Sequence, residues 1–407
     1  MEWFQRFLDD LILYHTEAAD GTTLINEAVR LGWQGNLWHC HLTLSLLADE
    51  NPFSLACERR EPVHDSLYEL ALRDMEVFVK LFHMKLDNPI MMDFHHESAA
   101  SAAPTARQVT ELARTLAEAE TPQALLDLLT AYYRAHGLGM LGMGQIFRVD
   151  SDGGRARLYP IENRRSVRLT DLVGYESQKK LLLDNTLAFL AGQHANNVLL
   201  YGDAGTGKST SVQAIADEYA PQGLRLIELY KHQFYLIPAL LTQIKSRNYR
   251  FILFLDDLSF EENETEYKHL KAVMEGGAEA APENVLIYAT SNRRHLIKET
   301  WNDRSDMQHD GDIHRSDTME EKLSLAGRFG LQIYYPNPSY EEYHTIVREL
   351  AARDPALSAY TEAQLRTLAS TWQVRRGNRS GRTAQQFIYD LTSHTLENEE
   401  KHADADA

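Results

Sequence analysis

Residues 202–209 read GDAGTGKS, directly after the apolar run VLLY and directly before the helical stretch TSVQAIADEYA. This is a full G-x-x-x-x-G-K-[ST] match in the strand–loop–helix setting that the motif needs. Its glycines let successive backbone N–H groups turn toward phosphate oxygens close to a helix N-terminus. The loop Gly202-Asp203-Ala204-Gly205-Thr206-Gly207, with Thr210 just beyond it, is therefore the expected phosphate cradle. Lys208 would reach the β- and γ-phosphates and Ser209 would ligate Mg²⁺.

The surrounding sequence suits such a loop. NNVLLYG, LRLIEL, RFILFLDD, NVLIYATS and LQIYY are short apolar runs bounded by turn or polar residues, with helical stretches between them. The alternation predicts a parallel sheet covered on both faces. Asp256 ends the run Phe251-Ile252-Leu253-Phe254-Leu255. Ligands of open α/β sheets bind at the carboxyl ends of strands, so its carboxylate becomes the second expected Mg²⁺ partner. To this point a P-loop kinase acting on a small molecule fits equally well.

The chain divides by composition into an α/β base at residues 168–335, preceded by a mostly helical region at 1–167 and followed by a helical section at 336–396 and a charged tail at 397–407. Helical spacing is clearest in DSLYELALRDMEVFVKLFHMKL, and GQIFRVDSDGGRARLYPI reads as a hairpin about Asp152-Gly153-Gly154. No apolar run approaches about 18 residues, and the first residues lack a basic leader, so neither a membrane span nor a signal peptide is expected. Two cysteines, Cys40 and Cys57, suit a reducing cytoplasm. A net charge of −18 weighs against broad nucleic-acid binding. The arginines at 366, 375, 376, 379 and 382 leave local DNA contact as a secondary reading.

Three further features separate the chain from small-molecule kinases. NVLIYATSN ends a buried strand at Asn292, LAGRFGLQIYY sets Arg328 just before the last strand, and GNRSGRTAQQFI opens a helix at Arg382. In this order they resemble the AAA+ ATPases. That resemblance implies an AAA+ P-loop NTPase fold with a five-stranded parallel sheet, a helical lid, and bound ATP and Mg²⁺. It implies that Asn292 is sensor 1, that Arg328 is a finger offered to the neighbouring subunit of a homo-oligomer, and that Arg382 is sensor 2 in the lid. The segment DLVGYESQKKLLLDNTLAFL is similar to the AAA+ stretch beside the adenine, which implicates Leu172, Val173 and Gly174. More narrowly, NNVLLYGDAGTGKS, FLDDLSFEENETEYKHLKAVMEGG, EKLSLAGRFG and RSGRTAQQFI resemble the DUF815 family of AAA+ proteins, over most of the chain from about Asn51 onward.

The pair Asp256-Asp257 refines this expectation. In most ATP-hydrolysing machines of this kind the second acid is Glu; Asp257 is one methylene shorter. Asp257 is the expected base for the attacking water, with Asn292 aligning it and Glu261 a possible substitute. Asp-Asp endings also occur in AAA+ initiators and helicase loaders, which act as ATP switches. Two readings therefore follow: an oligomeric ATPase remodelling or loading a protein or protein–nucleic-acid client, or a nucleotide-gated switch with slow hydrolysis.

Other stretches have plainer alternatives. Phe234 and Tyr235 follow the second strand of the base, where ring translocases carry a gripping loop, yet FYLIPALLTQI equally suits a helix burying its apolar face. WHCH at 38–41 and FHHE at 94–97 are not expected to bind metal, because adjacent helical residues point about 100° apart. WNDRSDMQHDGDIHRSDTM reads as a charged surface loop.

Overall fold

Helical and strand periods of apolar residues run through different stretches of the chain, and the structure, a computed structural model, sorts them into two compact units. It describes residues 22–84, 92–96, 104–153, 155–161, 164, 166–260, 266–275, 281–292 and 325–403. The charged loop at 301–319, Glu97 and Glu261 lie outside them.

The first unit comprises residues 1–145, 159–163 and 246–248. Its helices are α1 (Thr22–Leu31), α2 (Leu37–Ala48), α3 (Pro52–Arg59), α4 (Asp65–Phe82), α5 (Pro104–Ala117), α6 (Pro122–His136) and the short α7 (Gly139–Met143). Their starts are written locally. Asn36 caps α2, Asn51 and Ser54 form a reciprocal box at α3, and Thr121 with Pro122 opens α6. Trp33, Leu42, Leu46, Phe53, Phe78, Leu116 and Leu129 meet in one core. Within it the Arg247 guanidinium donates two 2.7 Å hydrogen bonds to Glu58 and one of 2.9 Å to Glu50.

Two histidines of the WHCH stretch find partners inside this unit. The His39 ring meets the Phe82 carbonyl at 2.8 Å, and His41 faces Glu27 at 3.6 Å. Among the described residues no group of His, Cys, Asp or Glu could hold a metal ion. Cys40 and Cys57 are free and buried, and burial pushes the Cys40 thiol up to about 11.

The second unit is built on seven strands: β1 (Ile146–Asp152), β2 (Arg155–Pro160), β3 (Val198–Gly202), β4 (Leu224–Glu228), β5 (Arg250–Leu255), β6 (Val285–Ser291) and β7 (Leu331–Tyr335). They lie in the order β2-β1-β4-β5-β6-β3-β7, and the five contacts from β1–β4 to β3–β7 are parallel. All five strands expected for the base are present. The sheet is wider than the expected five because the hairpin strands β1 and β2, read with the N-terminal region, extend its edge through β4. Every residue of β6 is buried, whereas the edge strand β7 alternates. That contrast is what two covered faces demand of central strands.

Helices α8 (Glu176–Leu190), α9 (Lys208–Tyr219), α10 (Ile237–Ile244) and α11 (Tyr267–Met274) connect the strands, α8 touching β7 and α9 touching β4 and β6. After β7 come the lid helices α12 (Tyr340–Ala351), α13 (Glu362–Arg376) and α14 (Gly381–Ala403). Tyr343, Ile346, Val347, Leu365, Ala369 and Phe387 form their shared core. The last helix continues beyond residue 396 into the charged segment read from sequence as a tail.

The gripping-loop reading of Phe234 does not survive the fold. Phe234 is only 1% exposed, packed in the turn Lys231–Leu236 with Gln233 and Leu236, and Tyr235 alone of the pair faces outward. The plainer alternative, an apolar face turned inward, holds there. Among the described residues no helix is long and apolar enough to cross a membrane.

Candidate functional site

Strand β6 lies between β3 and β5, all three parallel, so Gly202, Asp256 and Asn292 emerge on one edge of the sheet. Gly202 must be glycine: its φ is +137°, and a Cβ there would collide with the Tyr335 carbonyl. The chain then wraps back on itself, with Thr206 Oγ1 donating to the Asp203 carbonyl at 2.8 Å, and α9 starts from Gly207. Helix α9 thus points its free N–H groups and the positive end of its dipole at the loop's hollow.

Lys208 is 6% exposed, yet its ammonium meets neutral oxygens: the carbonyls of Gly202 (3.0 Å) and Asp203 (2.7 Å) and the Asn292 Oδ1 (3.2 Å). Burial pulls its pKa below the ordinary lysine value, against the raising influence of Asp203, Asp257 and Asp256. Asn292 has its amide oriented by this contact. Its oxygen must face the donor-only ammonium, so its nitrogen donates to Asp257 Oδ1, at 2.9 Å.

The two aspartates point to different partners. Asp256 Oδ1 accepts from Ser209 Oγ at 2.5 Å and from Thr290 Oγ1 at 2.6 Å. Thr290 Oγ1 in turn accepts the Asp257 backbone N–H at 2.9 Å, and the Thr290 carbonyl accepts from Leu258 at 2.7 Å. These bonds hold Asp257 at φ +51°, a left-handed conformation that costs a non-glycine residue about 1–3 kcal/mol. Sequence reading missed Thr290; its only signal was a polar residue inside the apolar run VLIYATS.

A cavity of about 850 Å³ opens over these groups, within the range of small-molecule sites. Ala204 to Thr210, Leu172, Val173, Asp256, Asp257, Asn292 and Arg382 all line it. The lining also has apolar members, Val167, Leu172, Val173, Ile346, Leu350 and Ile388, of which Val173, Ile346, Leu350 and Ile388 pack into the lid core. The lid closes on the phosphate loop at Gly205, whose carbonyl accepts the Arg382 backbone N–H at 3.2 Å. Apolar lining together with a desolvated cation and clustered N–H groups fits a nucleoside polyphosphate. The Ser209 hydroxyl and Asp256 carboxylate are hard oxygen donors of the kind Mg²⁺ takes.

Four expected residues do not line the cavity. Gly174 turns the chain at φ +81°, and Gly202 is buttressed by β7. Asp203 sends its carboxylate to the Asn337 backbone N–H at 3.0 Å. Arg328 forms an ion pair with Glu275 of its own chain, at the end of α11. Tyr175, which sequence reading passed over, does line the cavity. Its backbone is left-handed at φ +58°, its ring stacks on Tyr335 at 5.2 Å, and its hydroxyl donates to the Pro336 carbonyl at 2.8 Å. Burial, with Glu342 nearby, raises its pKa well above the ordinary tyrosine value and keeps the hydroxyl a donor.

Comparison with known proteins follows the same boundary as the fold. A family model described as "Protein of unknown function (DUF815)" matches residues 144–395. The match starts at the hairpin, not near Asn51 as the sequence resemblance suggested, and leaves the helices of the first unit outside it. No curated protein matches the chain. Similar solved structures include the FIGL-1 AAA domain in complex with ADP, at 17% identity over 55% of this chain and 84% of that one, with a TM-score of 0.34. The Thermotoga maritima RuvB Holliday junction branch migration motor is similar at 16% identity over 55% and 72%, with a TM-score of 0.30.

Proposed function

The chain belongs to the DUF815 family, and from that premise we propose that it is an AAA+ nucleotide-binding protein, a Mg²⁺-dependent ATPase whose turnover requires self-assembly. The observation that carries this reading is the convergence of Lys208, the Ser209–Asp256–Thr290 cluster and the Asn292–Asp257 pair on one cavity closed by the lid.

In this reading the base of ATP occupies the slot between Leu172, Val173 and Ile388, and its phosphates lie along Ala204 to Thr210. Lys208 exchanges its carbonyl partners for phosphate oxygens. Mg²⁺ held by Ser209 and Asp256 would neutralise charge on the phosphates when bound. Asp257 accepts a proton from the attacking water or orients it, and Asn292 fixes the carboxylate's direction. Arg382 reads the γ-phosphate from the lid. Arg328 does not reach its own cavity, which supports its use in a neighbouring subunit's site. The helical unit that precedes the family match is the region through which a macromolecular client, a protein or protein–nucleic-acid complex, would be recruited for remodelling or loading.

The test is ATP turnover measured against protein concentration. Specific activity should climb with assembly and fall by about 10³-fold or more in Arg328→Ala, the scale of a shared arginine finger. Normal hydrolysis by Arg328→Ala would end the shared-site reading.

A second reading, a slow nucleotide switch, is favoured by one particular: the short Asp257 carboxylate is already held by Asn292 in the strained turn. Asp257→Glu then discriminates. Faster turnover at unchanged ATP affinity means that the short side chain sets a slow clock, whereas loss of turnover means that the Asp geometry is the working one.

A further inference from the structure

The join between base and lid is held by residues of the nucleotide site itself. Between the end of β7 at Tyr335 and the cap of α12 at Ser339 run only Pro336, Asn337 and Pro338. The Asp203 backbone N–H donates to the Tyr335 carbonyl at 3.2 Å, the Tyr175 hydroxyl to the Pro336 carbonyl at 2.8 Å, and the Asn337 N–H to Asp203 Oδ2 at 3.0 Å. The last residue of β7 and the first two of the connection are thus held in succession by Asp203 and Tyr175, one in the phosphate loop and one in the cavity wall. Both prolines withhold an N–H, which leaves Asn337 as the donor the connection offers between them.

We propose that Asp203 and Tyr175 form a hinge clasp through which occupancy of the cavity sets the lid's orientation. The inference rests on the nucleotide reading of the cavity and assigns the two residues a positioning role, not a catalytic one. Its physical route is short. The Lys208 ammonium spends its hydrogen bonds on the carbonyls of Gly202 and Asp203. A bound phosphate competes for that ammonium and releases both peptides. The Asp203 peptide is also fixed by Thr206, so its relaxation is transmitted to the carboxylate that holds Asn337. On the other side, Tyr175 sits in the cavity wall in a left-handed backbone conformation that only surrounding contacts maintain. A base entering the slot presses on that wall, and the hydroxyl carries the displacement to Pro336. The two arms meet on consecutive residues and act in series on one connection, so releasing either one frees it.

The experiment reads lid position directly. Cysteines introduced at Asp184 on α8 and Glu349 on α12, both exposed, carry a fluorophore pair, while the native cysteines stay buried and unlabelled. ADP affinity is measured separately by calorimetry on the same proteins. The labelled protein should change its inter-dye distance on ADP. Tyr175→Phe and Asp203→Asn, which remove one hydroxyl and one charge, should each cut that change by about half or more. The double variant should lose no more than the stronger single one, and Tyr334→Phe, which removes a neighbouring hydroxyl outside the clasp, should respond fully. A full response in both clasp variants overturns the inference, as does a wild-type lid that ignores bound ADP. Absence of ADP binding to the wild-type protein overturns the nucleotide reading as well, so the two failures are told apart by the calorimetry.

Discussion

Arg247 in the helical unit and Lys208 in the nucleotide unit are both buried cations, and their surroundings differ in kind. The Arg247 guanidinium is closed off by the Glu58 and Glu50 carboxylates and the Leu138 carbonyl, a fork-to-fork arrangement that satisfies charge and geometry together. The Lys208 ammonium is given neutral oxygens from Gly202, Asp203 and Asn292. Asp256 and Asp257 turn their carboxylates to Ser209, Thr290 and Asn292 instead. A buried charge is costly unless paired. The first cation is paired with carboxylates within the fold; the second meets neutral oxygens only, which on the proposed reading leaves it for an anion in the cavity. Burial alone thus separates nothing, and the identity of the partner oxygens separates structure from site.

The sharpest way to break this contrast is at Arg247. Arg247→Ala strands the buried Glu58 carboxylate, and loss of one member of such a pair costs about 3–5 kcal/mol. Urea unfolding should report that loss, while the folded protein keeps its ADP affinity. A loss under about 1 kcal/mol, the range of an exposed pair, would mean that the Glu58 site relaxes or admits water.

The second test runs the other way. Lys208→Ala should weaken ADP and ATP binding by about 2–5 kcal/mol, the range for truncating a desolvated charged contact. It should leave the empty protein at least as stable as before, because a desolvated cation has been removed. If Lys208→Ala destabilised the empty fold as Arg247→Ala does, the two cations would be equivalent and the contrast would fail.

What the sequence revealed follows the range of the interactions. The phosphate loop, the helix caps and the five base strands are local: residue type sets φ, ψ and burial within a few positions, so Gly202 to Ser209 could be read directly. Thr290 could not be, because its two partners lie 34 and 33 residues away and meet it only once β5 and β6 are neighbours. Asp203 sits inside a legible motif yet turns its carboxylate to a residue 134 positions on, and Tyr175 reaches 161 positions to Pro336. Motif reading assigned Asp203 to phosphate contact by position in the string; side-chain direction depends on what β7 brings alongside. Phe234 errs in the opposite sense, an aromatic in a suggestive place that the turn at 231–236 folds inward. The hairpin at 146–160 was visible as a hairpin, but nothing local in it announces β4 as a parallel neighbour.

The smallest expected effect is also the most specific to an unpaired buried cation. Burial sets the Lys208 pKa below its ordinary value near 10.5, and an anion that binds the protonated ammonium raises it again. Affinity for ADP is therefore full below the depressed pKa and falls as pH rises through it, at about tenfold per unit in the linked window. The stability of the empty protein moves the other way. Between the depressed folded value and the higher unfolded one, the unfolded chain holds a proton that the folded chain lacks, so stability rises with pH across that alkaline window. Arg247 contributes no such window, because a guanidinium paired with two carboxylates stays protonated throughout. Calorimetric titration of ADP from roughly pH 7 to 10, with urea unfolding of the empty protein in the same buffers, should give two opposed slopes. Lys208→Met should flatten both slopes and Arg247→Met neither; parallel slopes in the wild-type protein would place the titrating group outside the phosphate loop.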